Sequence, residues 1–291
     1  MSEDFERAFP ANAAQAAYWN VDIADKWVDN QVALDRRFQA ITDALIGRAG
    51  PRLGERVLEV GCGTGATTLA LAEAVGPAGH VLGVDISGPM LRLAGRRVRD
   101  EGHDHVTLLQ ADAQTHTFER SASDLVASRF GVMFFSDPVA AFRNLRWALR
   151  QNGRLAFACW TDLEANPWFA HPLEIASRHL GPPEPRHPHA PGPFAFADGA
   201  HVHSILEGAG FAEILVDREE IPIDIEGPAE DEAAFASHMG PAARLIRERA
   251  ADPDAVAQAI QTEVADAFRP FATAGGVRFP AVVFLVSARA P

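Results

Sequence analysis

The segment Arg56-Val-Leu-Glu-Val-Gly-Cys-Gly-Thr-Gly65 places three glycines at alternate positions, Gly61, Gly63 and Gly65. They follow a short apolar run and precede an Ala- and Leu-rich stretch. Glycine suits such a turn, because a β-carbon would block both positive φ angles and the close approach of a ligand to the backbone. Strand, glycine turn and helix, in that order, bring backbone up to a nucleotide-like ligand. Gly61-x-Gly63-x-x-Ala66 also satisfies the dinucleotide pattern, so the turn alone leaves two cofactor classes open. Asp85 ends the run Val81-Leu-Gly-Val-Asp85, 20 residues past Gly65, where an acid can accept both hydroxyls of a ribose. Asp112 ends Val106-Thr-Leu-Leu-Gln-Ala-Asp112, where a carboxylate can accept from an adenine amino group. Glu59 stands just before the turn. It is awkward beside a pyrophosphate and tolerable beside a ligand that carries a sulfonium and an ammonium.

The elements that must position these residues alternate regularly. Apolar runs at 57–60, 81–84, 106–109, 125–128 and 155–159 read as strands. Stretches 66–75, 89–99 and 138–149 read as helices between them. Near-continuous apolar strands alternating with helices imply a mostly parallel sheet covered on both faces. Before this core, 22–47 reads as one amphipathic helix, with Trp27, Leu34, Phe38, Ile41 and Leu45 on one face. Residues 1–20 show little pattern beyond Tyr18-Trp19. Six prolines between 182 and 193 make that stretch a loop, and 161–197 breaks the strand–helix rhythm. A helix is expected over 199–208, a strand at 214–216, Ala-rich helical segments over 227–272, and a last strand at 281–288. The expected organisation is a helical lid (1–50), a cofactor-binding core (51–160), a cap insertion (161–197), a core continuation (198–226), a helical cap insertion (227–275) and a final core strand (276–291).

Composition narrows the partners. Of 291 residues, 47% are hydrophobic, ample for a packed core, and the formal net charge is −13. A chain this acidic, without Lys/Arg clusters, is not expected to take nucleic acid or an anionic membrane as its main partner. Two cysteines, Cys62 and Cys159, make neither a disulfide scaffold nor a clustered metal site, and no metal is expected. The acidic N-terminus lacks a secretory apolar core, and no stretch has the length to span a bilayer, so a cytoplasmic location is expected.

Taken together, Glu59-Val-Gly-Cys-Gly-Thr-Gly65, Val84-Asp85-Ile86-Ser87 and Gln110-Ala-Asp112-Ala113 resemble the cofactor motifs of class I S-adenosylmethionine-dependent methyltransferases, small-molecule type, with a domain similar to the UbiE/type 11 group. The segment 137–155 resembles the helix and turn before their fifth strand, with Gln151-Asn152-Gly153 where Pro-Gly-Gly is usual. The resemblance covers about residues 56–160, with a weaker echo to the C-terminus. It implies an α/β fold, a Rossmann-like doubly wound sheet of seven strands with the last one antiparallel, carrying a helical cap. It further implies that Gly61, Cys62, Gly63 and Gly65 approach the methionine part, Asp85 holds the ribose, Ile86 stacks on adenine, and Asp112 and Ala113 meet the adenine edge. Ser128, Arg129 and Phe130 would face the methyl group. Related enzymes use an N-terminal helix as a lid, which makes Trp27 a candidate to close over the cofactor, against the alternative that it packs the core.

The expected cofactor is therefore S-adenosyl-L-methionine, with S-adenosyl-L-homocysteine as product, and the expected activity is direct in-line methyl transfer to a small-molecule N, O, S or C nucleophile. A general base, where one is needed, would be a histidine or acid of the cap such as His171 or His238. Cys62 reads as a small buried residue and Met133-Phe134-Phe135 as core packing. The partner expected is the small-molecule methyl acceptor, and a homodimer is the assembly considered. The rival readings are an NAD(P)-dependent dehydrogenase, opposed by Glu59 and Asp112, and a methyltransferase-like subunit that binds cofactor without catalysis.

Overall fold

The computed structural model describes residues 2–291, with side chains from residue 5 onward. The chain divides into two compact units. The first comprises Met1–Trp160, His189–Arg218 and Phe284–Pro291; the second comprises Thr161–Pro188 and Glu219–Val283.

The first unit opens with α1 (Ser2–Ala8), α2 (Ala13–Ala17), a π-helical turn at Tyr18–Asp22, α3 (Ala24–Asp29) and α4 (Gln31–Ala49). The single helix expected over 22–47 is thus two, interrupted at Asn30, whose side chain bonds to the carbonyl of Lys26. An asparagine that satisfies a carbonyl of the preceding turn competes with the continuing helix at that point. Leu34, Phe38, Ile41 and Leu45 do share the buried face of α4, whereas Trp27 belongs to α3.

The alternating core then follows: β1 (Arg56–Val60), α5 (Ala66–Val75), β2 (His80–Asp85), α6 (Gly88–Asp100), β3 (Val106–Gln110), β4 (Ser123–Arg129), α7 (Pro138–Ala148) and β5 (Leu149–Trp160). Two helix starts are written in the sequence. Ser87 caps α6 through Met90 N and Asp137 caps α7 through Ala140 N, each with proline in the first turn. β1 pairs in parallel with β2 on one side and β4 on the other, so the C-terminal ends of these strands open at one edge. The turn expected at Gln151-Asn152-Gly153 is a bulge inside β5: pairing with β4 jumps from Leu149 to Arg154, and Asn152 takes a φ of 60°. Leu45, Ala49, Val57, Leu71, Val75, Val81 and Leu125 fill the space between α4, α5 and the sheet.

Two stretches whose elements run between the units complete the sheet. After the second unit's α8 (Pro167–Leu180), α9 (Gly199–Gly208) leads to β6 (Ala212–Glu226). Then come α10 (Ala229–Ser237), α11 (Gly240–Arg249), α12 (Pro253–Phe268), β7 (Ala272–Thr273) and β8 (Gly276–Arg289). The strand order is β3-β2-β1-β4-β5-β8-β6, with the two-residue β7 pairing only with β8 as a hairpin arm. That arm is an eighth strand beside the seven expected. β8 runs antiparallel to β5, as the bonds between Asn152 and Ala290 at one end and Thr161 and Val282 at the other require. β6 and β8 are both longer than the short runs legible at 214–216 and 281–288.

The second unit is helical. The loop expected at the prolines of 182–193 extends over 181–198, and the rest of the break at 161–197 holds a helix, Pro167–Leu180, that tolerates Pro172 in its interior. The indole of Trp168 donates to the buried Glu232 at 2.5 Å, joining α8 to α10. Asn166 donates to the carbonyl of Val282 and accepts from its amide, which fixes the start of α8 against β8.

Candidate cofactor site

The glycine turn has the geometry its composition demands. Gly61, Gly63 and Gly65 have φ angles of 70°, 54° and 92°, a region that side chains with a β-carbon avoid. Gly61 has a second reason to be glycine. A β-carbon there would lie 2.6 Å from Cα of Gly131, and one on Gly131 would lie 2.6 Å from the carbonyl oxygen of Val60. The turn leaving β1 and the turn leaving β4 are therefore in backbone contact. Ser128 closes the seam, donating its hydroxyl to Val60 O at 2.7 Å and accepting from Gly131 N at 3.2 Å.

Asp85 holds the other side of the turn. Its Oδ2 accepts from Gly63 N at 2.7 Å and its Oδ1 from Ser87 N at 2.8 Å, while Gly61 N and Cys62 N both donate to Val84 O. Burial raises the pKa of Asp85, at 7% exposure, against the pull of those backbone donors. The structure thus brings Gly61, Cys62, Gly63 and Asp85 together, with Ile86 next along the chain. Cys62 tucks under the turn, where its Sγ would lie 3.2 Å from a β-carbon on Gly83. Burial pushes its thiol well above the ordinary range, which makes it a small packed residue and not a thiolate nucleophile.

Glu59, 1% exposed, accepts from the hydroxyl of Thr68 at 2.5 Å. Desolvation raises its pKa to about 7, against that hydrogen bond and the charge of Arg129. A buried acid that ionises only near neutrality suits a cationic ligand group and repels a phosphate.

Asp112 and Ala113 lie after β3, and the N-terminal segment reaches them. Asn12 donates to Asp112 Oδ2 at 2.8 Å and accepts from Ser136 N, while Gln114 N donates to Asp112 Oδ1 at 2.9 Å. Asn20 donates to Ile86 O at 3.0 Å and accepts from Gly88 N at 2.9 Å. Two asparagines on a strap of about residues 12–20 therefore bind the exits of β2 and β3. Trp27 is tied in through Trp19, which packs edge-on against Tyr18, Trp27 and Phe134 at 5.2, 5.7 and 5.1 Å. Met133 and Phe135 are buried.

At the exit of β4, Arg129 donates to Thr42 Oγ1 at 2.6 Å. Phe130 takes a φ of 67°, an outlier for an aromatic residue that costs on the order of 1–3 kcal/mol. It stacks on Trp160 at 4.5 Å, and Phe38 meets both rings edge-on. His171 and His238 both belong to the second unit, the first in α8 with its ring 5.9 Å from Phe271, the second at the end of α10. Among the described residues no three His, Cys, Asp or Glu side chains cluster as a metal site.

Sequence reasoning missed Asn12, Asn20, Thr42, Thr68 and Gly131. Thr68 is the one with a local signal, a hydroxyl on the first turns of the helix that follows the motif. The others reach the site from 66 to 124 residues away, or by backbone contact.

The donor set, three acids around a glycine turn, fits a ligand with a ribose, an adenine and a cationic end. Residues 57–153 match a family model described as a methyltransferase domain. The chain is 37% identical over 113 residues to the aklanonic acid methyltransferase DauC of Streptomyces sp. (strain C5), covering 39% of this chain and 51% of that one. It is 29% identical over 195 residues to the nocamycin O-methyltransferase of Saccharothrix syringae, covering 64% and 69%. The chain spans about half the length of most curated relatives it matches, 51%, 53% and 43% in three of them. The crystal structure of the YcgJ protein from Bacillus subtilis aligns with a TM-score of 0.56 at 19% identity, over 85% of this chain and 97% of that one, and so shares the fold. Residues 57–153, around the glycine turn, thus match a methyltransferase domain and are similar in sequence to demethylmenaquinone methyltransferases and to UbiE.

Proposed function

We propose that the chain transfers the methyl group of S-adenosylmethionine to a small-molecule acceptor. The observation that carries the reading is Asp85, buried at the exit of β2 and bonded to the amide of Gly63, so that ribose acceptor and glycine turn are one rigid piece. When bound, the cofactor supplies a methyl already made electrophilic by its sulfonium. The protein's own work is then placement and the exclusion of water. Asp85 offers its remaining lone pairs to the ribose, and Ile86 its side chain to the adenine face. Asp112 and Ala113 flank the adenine edge, with Asp112 also anchoring Asn12. Gly61, Cys62, Gly63 and Gly65 supply the backbone wall, Arg129 and Phe130 line the side towards the methyl, and Trp27 supports the strap through Trp19.

The acceptor is an O- or C-nucleophile on a flat, apolar molecule. Support comes from the wall that Phe38, Phe130 and Trp160 build beyond β4 and β5, and from relatives named for methylating aklanonic acid and for O-methylation. His171 and His238 are the candidate bases for an acidic hydroxyl.

The test is calorimetric binding of S-adenosylhomocysteine to the purified chain and to Asp85→Ala. The variant is expected to bind 10- to 150-fold more weakly, a loss of about 1.5–3 kcal/mol from one charge-assisted acceptor. Unchanged affinity in a folded variant removes the ribose assignment, and no binding to the unaltered chain removes the cofactor.

A further inference from the structure

Arg129 is half-buried and has no counter-ion among the described residues. Its Nη1 donates to Thr42 Oγ1 at 2.6 Å, and its guanidinium carbon stands 5.8 Å from the centre of the Phe38 ring. Thr42 in turn donates to Phe38 O at 3.1 Å, so its hydroxyl is oriented to accept from Arg129. Thr42 and Phe38 are 2% and 4% exposed, and neither carries charge. Among the described residues Arg129 makes no ion pair. The two acids whose charges reach it are engaged elsewhere: Asp35 with Arg97 at 2.7 Å and with Gln31, and Glu59 with Thr68. A guanidinium has five donors in a fixed fork, and a side chain removed this far from water is ordinarily paired. Four of the five donors of Arg129 have no partner among the described residues, and desolvation already works against its charge.

The position of this fork says which anion it awaits. Arg129 lies two residues past Ala127, which pairs with Glu59 across β1 and β4, and next to the Gly61–Gly131 seam. A buried acid and an unpaired cation thus flank the same turn, the arrangement that complements a zwitterion. Asp85, Ile86, Asp112 and Ala113 account for the adenosine part of the cofactor; the amino-acid part has an ammonium for Glu59 and a carboxylate still without a partner. We propose that Arg129 receives the α-carboxylate of the cofactor, so that with Glu59 it makes binding depend on an intact amino-acid end. The assignment rests on the cofactor reading above and adds which residue reads that end.

Three ligands separate the two. S-adenosylhomocysteine carries the whole amino-acid end, its α-carboxamide lacks only the negative charge, and 5′-methylthioadenosine lacks the end altogether. On the unaltered chain, the carboxamide is expected to bind roughly 10- to 100-fold more weakly than S-adenosylhomocysteine, the range for losing one charge-assisted pair. Arg129→Gln is expected to lose a similar factor for S-adenosylhomocysteine while binding 5′-methylthioadenosine as before, and Arg129→Lys to recover part of the loss. Equal affinity of the unaltered chain for the carboxamide overturns the proposal without any mutation. So does an Arg129→Gln variant that binds both nucleosides normally, or both equally weakly. If the unaltered chain binds none of the three, the cofactor reading itself fails.

Discussion

Glu59 is the residue whose surroundings speak most directly to solution behaviour. Its pKa rises from near 4.5 to about 7 because burial strips its carboxylate of water, a cost that the hydrogen bond from Thr68 only partly offsets. The folded chain therefore holds a proton, between about pH 4.5 and 7, that the unfolded chain releases. The sign follows: this group's contribution is complete at low pH and is lost as pH rises through 7, by on the order of 3 kcal/mol. Urea midpoints at pH 5 and 8 are expected to differ more for the unaltered chain than for Glu59→Gln, and equal differences would show that Glu59 stays ionised. A ligand ammonium reverses the trend, since it favours the ionised acid, so affinity for S-adenosylhomocysteine is expected to rise from pH 5.5 to 8. How far the site was readable follows the same line. Glu59, Asp85 and Asp112 carry their chemistry in their own type and spacing. The groups that tune them, Thr68 by a hydroxyl and Asn12 from 100 residues away, become visible only when the chain is folded.

Among the elements, the strap at 12–20 is held by polar side chains at its two ends and by Trp19 between them. Asn12→Ala removes the bonds to Asp112 and Ser136. Amide exchange across 13–22 is expected to speed up by roughly 5- to 30-fold, the local equivalent of about 1–2 kcal/mol, with the core amides unchanged. Exchange as slow as before would mean that the aromatic cluster alone holds the strap. No periodicity announced this segment, because helices of seven, five and six residues are too short to display one. The core strands were legible for the opposite reason: buried on both faces, they are uninterrupted apolar runs. α8 was hidden by Pro167 and Pro172, and β6 by a charged middle, Asp217-Arg218-Glu219-Glu220, that hides the strand beyond its first apolar residues.

For the whole molecule, a second buried acid opposes the first. Glu55 accepts two bonds from Arg154, at 2.9 and 2.5 Å, and Arg154 also donates to Ala49 O and Gly50 O. Burial pushes the Glu55 pKa up, but the Arg154 hydrogen bonds and charge, with the amide of Arg52, bring it below the ordinary value. Its contribution is therefore present above about pH 4.5 and lost as pH falls through the depressed value. Glu55→Gln is expected to cost about 1–3 kcal/mol at pH 7 in a denaturant titration, a gap that narrows at acid pH. A constant gap would show that the pair contributes packing and no charge. With Glu59 and Glu55 sloping in opposite directions, their joint contribution to stability is greatest in mildly acid solution. The seam between Gly61 and Gly131 reaches furthest. Gly61→Ala is expected to destabilise by about 3 kcal/mol or more, since a backbone atom cannot step aside as a side chain does. Neither residue has a side chain through which a mutation could tune the junction, so variation here can only damage it. Descendants of this scaffold that change acceptor must therefore inherit the seam untouched and diversify elsewhere, and a directed-evolution library that leaves 61 and 131 fixed loses no useful variants.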